Sequence, residues 1–199
     1  MQDCFQKIQC FLAPREALML EQLHMFCEIN SGSHHLRGIN RIREALHHAF
    51  TPLADSIERI QSAEGTPPLL FIRKRPELTR RVLLSGHMDT VFGESHAFQN
   101  IIALEPGILN GPGVSDMKGG LIVMLHALEA FEQTPIAKTI GWDVVINADE
   151  ELGSPASAAF FKKIRDNYQA ALVYEPALTP DGLFARSRRG SGKFTLTAH

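Results

Sequence analysis

Apolar runs that stop on acidic or imidazole groups constrain this sequence more than any other feature. Val82-Leu83-Leu84 leads into Ser85-Gly86-His87-Met88-Asp89-Thr90, and Val144-Val145-Ile146 leads towards Asp149-Glu150-Glu151. The run at 170–174 leads into Glu175-Pro176. A further acid, Asp116, lies in the glycine-rich stretch Gly111-Pro112-Gly113-Val114-Ser115-Asp116-Met117-Lys118-Gly119-Gly120, at the head of a longer apolar run. Short apolar runs bounded by turn residues read as buried strands, and the longer periodic run reads as a helix. Charged groups at strand ends are where an open α/β sheet builds its site.

The rest of the chain supports that layout. Residues 15–29 and 37–50 carry apolar residues at helical spacing, and 117–131 and 155–165 read as two more helices. Strands are expected at 57–60, 69–72, 82–85, 101–104, 140–147, 170–174, 183–186 and 193–198. Strands alternating with helices argue for an α/β layered domain, and the early run of adjacent strands argues for a mixed sheet. The chain of 199 residues can bury one sizeable core with a small appendage, and it shows no internal repeat or low-complexity tract.

Composition excludes several functions. A net charge of −2 gives no broad footprint for nucleic acid or an anionic membrane. The local basic run from Arg73-Lys74-Arg75 to Arg80-Arg81 contains Pro76 and reads as a solvated hairpin loop rather than a phosphate site. Cys4, Cys10 and Cys27 are odd in number and have no Cys-x-x-Cys spacing, which argues against both a disulfide framework and a thiolate zinc site. Cys27 falls in a helical apolar pattern and reads as a buried free thiol. Residues 1–14 lack a signal-peptide pattern and no segment reaches membrane-spanning length, so a cytoplasmic setting is expected.

Each acidic motif has a plain structural use when taken alone. His87 and Asp89 stand two apart, so on a strand they share a face, and a histidine satisfied by a nearby aspartate needs nothing more. The same pair also suits a metal-binding imidazole whose other N–H is held by a carboxylate. Asp116 could be a helix N-cap. Glu150 and Glu151 could be solvated loop acids, yet adjacent carboxylates raise each other's pKa unless a cation lies near. On a tight turn one could bind metal while the other faces an attacking water. His47 and His48 fall at a helix end, where an imidazole suits the helix dipole. Taken jointly, one histidine and several carboxylates make a nitrogen/oxygen donor set suited to zinc, cobalt or manganese. Two such ions can activate a water and polarise a carbonyl.

Gly86-His87-Met88-Asp89-Thr90-Val91, the Gly111–Gly120 stretch and Asp149-Glu150-Glu151-Leu152-Gly153-Ser154 strongly resemble the di-zinc aminoacylase, acetylornithine deacetylase and glutamate carboxypeptidase superfamily of metallopeptidases. The resemblance runs from about residue 12 to the end, and Gly111-Pro112-Gly113-Val114 looks most like the glutamate carboxypeptidase branch. It implies a three-layer α/β catalytic domain with a mixed, mostly parallel sheet over residues 1–186. Residues 187–199 would begin an α+β lid or dimerisation domain, through which the whole protein would form a homodimer. The roles it implies are as follows. His87 binds one of two zinc ions, Asp89 orients it, Asp116 bridges both ions, and Glu175 completes the first site. Glu151 binds the second ion and Glu150 is the general base. A cis peptide is implied at Asp116–Met117. The activity implied is hydrolysis of an amide or peptide bond next to a free carboxylate, in an N-acyl amino acid or short peptide, through metal-bound hydroxide.

The sequence departs from that family in one respect. A last metal-binding histidine, an oxyanion-stabilising histidine and the groups that grip the substrate carboxylate have no counterpart, and His199 does not match the missing ligand. The expectation is therefore an N-terminal portion of such an enzyme. The alternative is an inactive metal-binding chain or pseudo-enzyme. His96, in the loop after the first motif, is a candidate for the pocket border or a plain surface histidine.

Overall fold

A computed structural model describes residues 2–61, 65–177, 179, 181–183 and 197. The strands expected at 183–186 and 193–198, the domain boundary at 186/187 and His199 lie outside those residues or reach beyond them. Five helices and seven strands are described: α1 (Gln2–Leu12), α2 (Glu16–Cys27), α3 (Leu36–Phe50), β1 (Ser56–Ile60), β2 (Leu69–Lys74), β3 (Arg81–His87), β4 (Ile102–Glu105), β5 (Ile108–Asn110), α4 (Lys118–Glu132), β6 (Gly141–Asn147), α5 (Ala158–Ile164) and β7 (Ala170–Val173).

The main sheet has the order β1-β2-β6-β3-β7. β1 with β2 and β2 with β6 are antiparallel, whereas β3 runs parallel to both β6 and β7. The chain leaves β3 through α4 to β6 on one side, then passes through α5 to β7 on the other side. β3 is thus a switch point, and the carboxyl ends of β3, β6 and β7 share one edge. Open α/β sheets bind ligands outside such an edge.

Side-chain alternation along the strands builds three layers. On one face Leu70, Ile72, Leu84, Trp142, Val144 and Ile146 pack with α2, α3 and α4 through Phe26, Ile39, Ile42, Leu46, Leu121 and Leu125. On the other, Leu69, Phe71, Leu83 and Val145 pack with Ile164, Phe160 and Phe161 of α5. The rings of Phe71 and Phe160 meet edge to face at 5.2 Å between centroids. All seven residues of β6 are buried, as a central strand covered on both faces requires.

Three expectations need correction or addition. Residues 2–12 form α1, which continues through a 3-10 turn at Ala13–Arg15 into α2, whereas the sequence reading assigned no element there. Pro14 stands in that turn, where its missing N–H costs no helical bond. The strand at 101–104 joins a separate two-stranded hairpin, β4 with β5, rather than the main sheet.

The basic run is not a solvated hairpin loop. β2 and β3 are separated by β6, and the cations between them meet carboxylates. Arg75 forms a two-pronged pair with Glu132, at 2.9 and 2.6 Å. Lys74 reaches Asp55 at 2.7 Å, and buried Arg81 pairs with buried Asp143 in the middle of β6. These partners were invisible because they lie far along the chain. With the charges matched in this way, no phosphate site is left by Lys74, Arg75 and Arg81.

Candidate metal centre

β3 ends on His87, whose side chain is fully buried. Its backbone N–H faces Met117 Sδ at 3.0 Å. The ring Nδ1 lies 2.9 Å from the Asp89 carbonyl oxygen and 3.3 Å from Asp89 Oδ1. The other nitrogen, Nε2, faces the sheet edge. It is 3.0 Å from Asp116 Oδ1, 3.6 Å from Glu175 Oε1 and 3.9 Å from Glu150 Oε2.

The acids arrive on separate supports. Asp116 follows the glycine-rich turn, where Gly113 has φ +75°, a conformation that glycine adopts without strain. The Asp116–Met117 peptide is cis. α4 then starts close to both neighbours: a Cβ on Gly119 would meet the Val114 carbonyl oxygen at 2.3 Å, and one on Gly120 the Tyr174 carbonyl oxygen at 2.1 Å. Gly120 so lets α4 approach the residue just before Glu175. Glu150 and Glu151 sit in a 3-10 turn, Glu150–Leu152, directly after β6.

That turn is braced by Asp149, to which the sequence pattern assigns no role. Its Oδ2 accepts the N–H groups of Ala156 at 2.8 Å and Ser157 at 3.0 Å, and Asn147 Nδ2 donates to its Oδ1 at 3.0 Å. Burial acts to raise its pKa, but these hydrogen bonds outweigh burial and hold the carboxyl below its ordinary value. Asp89 braces the turn from the other side, accepting the Glu150 N–H on Oδ1 at 3.3 Å and the Glu151 N–H on Oδ2 at 3.2 Å.

The five groups His87, Asp116, Glu150, Glu151 and Glu175 converge in two triads able to hold a metal ion. They are His87–Glu150–Glu175 and His87–Asp116–Glu151, with ligand atoms within 4.8 Å of one another in each. In this arrangement His87 is common to both triads, whereas the family resemblance gives the shared position to Asp116. Asp89 stands behind His87 and outside both triads. His47 and His48 lie in the last turn of α3. His96 accepts the Phe98 N–H at 3.0 Å and leans on the Phe92 ring at 5.0 Å.

Charge in the cluster is unbalanced towards the negative. Burial pushes Glu151 up to about 7, with the Asp116 carboxylate adding to the rise. Burial also raises Glu150; the His87 charge opposes this, and Glu175, Asp89 and Asp116 reinforce it. Burial alone would lower His87, but the Asp89 and Glu175 carboxylates win and lift it to about 11. The cluster therefore holds protons against ordinary solution chemistry, which is the behaviour of a donor set built around more positive charge than the chain supplies. Nitrogen and oxygen donors of this kind fit zinc, cobalt or manganese.

Two supporting residues were not legible as such. Lys118, weighed only for a phosphate cradle, is buried and donates from Nζ to the Ile29 carbonyl oxygen at 2.7 Å. Ser33 donates its hydroxyl to Asp89 Oδ2 at 2.8 Å. The only sequence hint for either was the turn Asn30-Ser31-Gly32-Ser33 after α2.

Comparison with known proteins agrees with this architecture. The chain is similar to carboxypeptidase G2 of Pseudomonas sp. (strain RS-16), 30% identical over 102 residues that cover 51% of this chain and 25% of that protein. It is similar to the succinyl-diaminopimelate desuccinylase of Vesicomyosocius okutanii subsp. Calyptogena okutanii (strain HA), 33% identical over 128 residues, 57% of this chain and 34% of that protein. The chain thus matches about a quarter to a third of the length of these relatives. Its fold is that of human carnosine dipeptidase 1, with a TM-score of 0.72 at 16% identity over 86% of this chain and 41% of that one. The profile of Peptidase family M20/M25/M40 matches residues 83–186, the segment that runs from β3 through the motifs at Asp116 and Glu150-Glu151 to beyond Glu175. The chain belongs to that peptidase family.

Proposed function

We propose that the whole protein is a di-zinc hydrolase of an amide or peptide bond next to a free carboxylate. The observation that carries this reading is the convergence of one imidazole and four carboxylates at the carboxyl edge of β3, β6 and β7. His87, Asp116 and Glu175 would hold one ion, and Asp116 with Glu151 the other. Cobalt or manganese suits the same donors. When bound, two such ions lower the pKa of a water and polarise the scissile carbonyl.

The chain's own residues supply the rest. Asp89 occupies Nδ1 of His87, which leaves Nε2 aimed at the centre. Glu150 accepts a proton from the attacking water and returns it to the leaving nitrogen, a task suited to a carboxyl whose pKa is raised by burial and by neighbouring acids. Substrates are N-acyl amino acids or short peptides. A carboxypeptidase and a desuccinylase are both among the relatives, so the assay must offer both kinds of bond. Homodimerisation through a lid domain belongs to the same proposal for the whole protein. A cytoplasmic setting belongs to the same proposal. Among the described residues no helix is long and apolar enough to cross a membrane.

The test is metal content by elemental analysis, paired with hydrolysis of N-acyl-glutamates, N-succinyl amino acids and dipeptides. Two ions per chain with turnover supports the proposal. Metal uptake without turnover of any substrate, in a protein of the relatives' full length, favours the pseudo-enzyme. Absence of metal uptake overturns the metal-centre reading.

A further inference from the structure

The segment between α2 and α3 carries no candidate metal ligand, yet it is tied to two of the motifs that do. Thr90 N–H donates to the Ser31 carbonyl oxygen at 2.9 Å, and Ser33 N–H donates to the Thr90 carbonyl oxygen at 3.1 Å. Gly32 and Thr90 form a parallel bridge. The approach at that bridge is close: a Cβ on Gly32 would meet the Phe92 carbonyl oxygen at 2.7 Å and Gly93 Cα at 2.8 Å. At the other end, Lys118 Nζ holds the Ile29 carbonyl oxygen at 2.7 Å, two residues past Asp116.

Within this clasp, Ser33 touches the centre's support directly. Among the described residues, the Asp89 carboxylate has four hydrogen-bonding neighbours. These are the Glu150 N–H at 3.3 Å, the Glu151 N–H at 3.2 Å, His87 Nδ1 at 3.3 Å and the Ser33 hydroxyl at 2.8 Å. The hydroxyl makes the shortest of the four. It is also the one that comes from outside the metal-binding motifs, 56 residues away along the chain. Asp89 is fully buried, so no solvent competes for its oxygens. The hydroxyl contact falls at the ordinary O–H···O distance, whereas the contacts to the two backbone N–H groups and to His87 lie at or beyond the long end of the N–H···O range, so the hydroxyl is the strongest of the four restraints on the carboxylate.

We infer that Ser33 is a positioning residue for the metal centre. Its hydroxyl fixes the rotation of the Asp89 carboxylate, and Asp89 in turn aims His87 Nε2 and sets the backbone from which Glu150 and Glu151 project. This inference rests on the metal-centre reading. A direct partner of a metal-binding histidine, the place Asp89 holds, alters metal affinity or activity by about 10–100-fold when removed, and Ser33 stands one step further back, so its loss is expected at or below the lower end of that range.

The experiment compares the wild-type chain with Ser33→Ala, Ser33→Thr and Ser33→Cys. It measures zinc affinity by competition with a chromophoric chelator, the visible spectrum of the cobalt-loaded form, and the melting temperature of the metal-free form. Ser33→Ala is expected to weaken zinc binding by up to about 10-fold and to alter the cobalt spectrum. Ser33→Thr, which keeps the hydroxyl, is expected to restore both, and Ser33→Cys, a weak donor, to fall between. The metal-free melting temperature of Ser33→Ala is expected to fall, because a buried carboxylate loses a hydrogen bond, and to recover in Ser33→Thr; the cobalt spectrum of the folded, loaded chain is the readout that this loss of stability alone would not move. Should Ser33→Ala not fold, the comparison of Ser33→Cys with Ser33→Thr carries the test. Equal affinity and spectrum in wild type and Ser33→Ala overturn the role of Ser33 while leaving the metal centre standing. A Ser33→Thr chain as impaired as Ser33→Ala also overturns it. A wild-type chain that takes up no zinc or cobalt overturns the metal-centre reading, and this role with it.

Discussion

Asp89 holds His87 twice, through its carbonyl oxygen at 2.9 Å from Nδ1 and through Oδ1 at 3.3 Å. The same carboxylate accepts the N–H groups of Glu150 and Glu151. All of its neighbours that carry a fixed hydrogen are donors, so an amide in its place must turn an NH₂ group towards another donor. Asp89→Asn is therefore expected to weaken zinc binding by about 10–100-fold while the chain stays folded. Chelator competition, with circular dichroism as the control for folding, checks this. Unchanged affinity would mean that the Asp89 charge and acceptors are dispensable for His87.

Glu150 is placed by geometry in a triad with His87 and Glu175, yet the proposed function makes it the general base. The two roles separate cleanly in one variant. Glu150→Ala, in a protein of the relatives' full length, is expected to lose about 10²–10⁴-fold in turnover, the usual size of general acid–base catalysis. Metal content is expected to remain at the wild-type value. Loss of one ion along with activity would reassign Glu150 as a ligand.

Protons and metal ions compete for the same cluster, and the direction of that competition follows from two raised pKa values. His87 is lifted to about 11 by Asp89 and Glu175 against the effect of its own burial. Its contribution to folded-state stability is complete below its ordinary value of 6.5 and is lost as pH rises through the folded value. Burial and Asp116 raise Glu151 to about 7 from 4.5, so between those values the folded chain binds more protons than the unfolded chain. Stability again falls as pH rises. The metal-free chain should therefore melt at a lower temperature at pH 8 than at pH 6. Zinc should stabilise it more at pH 8 than at pH 6, with protons released on binding. Thermal melts at the two pH values, with zinc and with a chelator, measure both effects. A zinc stabilisation larger at pH 6 would contradict the protonated cluster.

The parallel half of the fold was legible because its strands are apolar runs that end on acids, and each run recurs in the structure within two residues of its expected bounds. The ends of β3, β6 and β7 lead into the segments that carry His87, Glu150, Glu151 and Glu175. What was illegible shares one physical cause: its partners lie far along the chain. Ser33 looks like an ordinary turn residue until Asp89 stands beside it. Asp143 looks like a misplaced charge in a buried strand until Arg81, Arg73 at 3.4 Å and the Tyr168 hydroxyl at 2.8 Å surround it. Residues 2–12 offer no long apolar run of their own, and α1 packs against α4, which lies more than 100 residues further along the chain.

The pair of Arg75 with Glu132 joins the end of β2 to the end of α4, and so couples the sheet to the helix that carries Lys118 and Gly120. Glu132 also accepts the Nε1–H of fully buried Trp142 at 2.8 Å. Burial acts to raise the Glu132 pKa, but Arg75 and Trp142 outweigh it and hold the carboxyl below its ordinary value of 4.5. Glu132→Ala leaves a mostly buried guanidinium and an indole N–H without this partner, and it is expected to cost about 3–5 kcal/mol of unfolding free energy. Because the folded pKa is depressed, the stability that Glu132 contributes is present above pH 4.5 and is lost as pH falls through the lower folded value. Glu132→Gln, which keeps an acceptor for Trp142 but cannot ionise, should therefore flatten the acid side of the stability profile. Urea denaturation of wild type and both variants from pH 7 down to pH 3 measures this. Parallel wild-type and Glu132→Gln profiles would show that the acid sensitivity of the fold resides in other carboxylates.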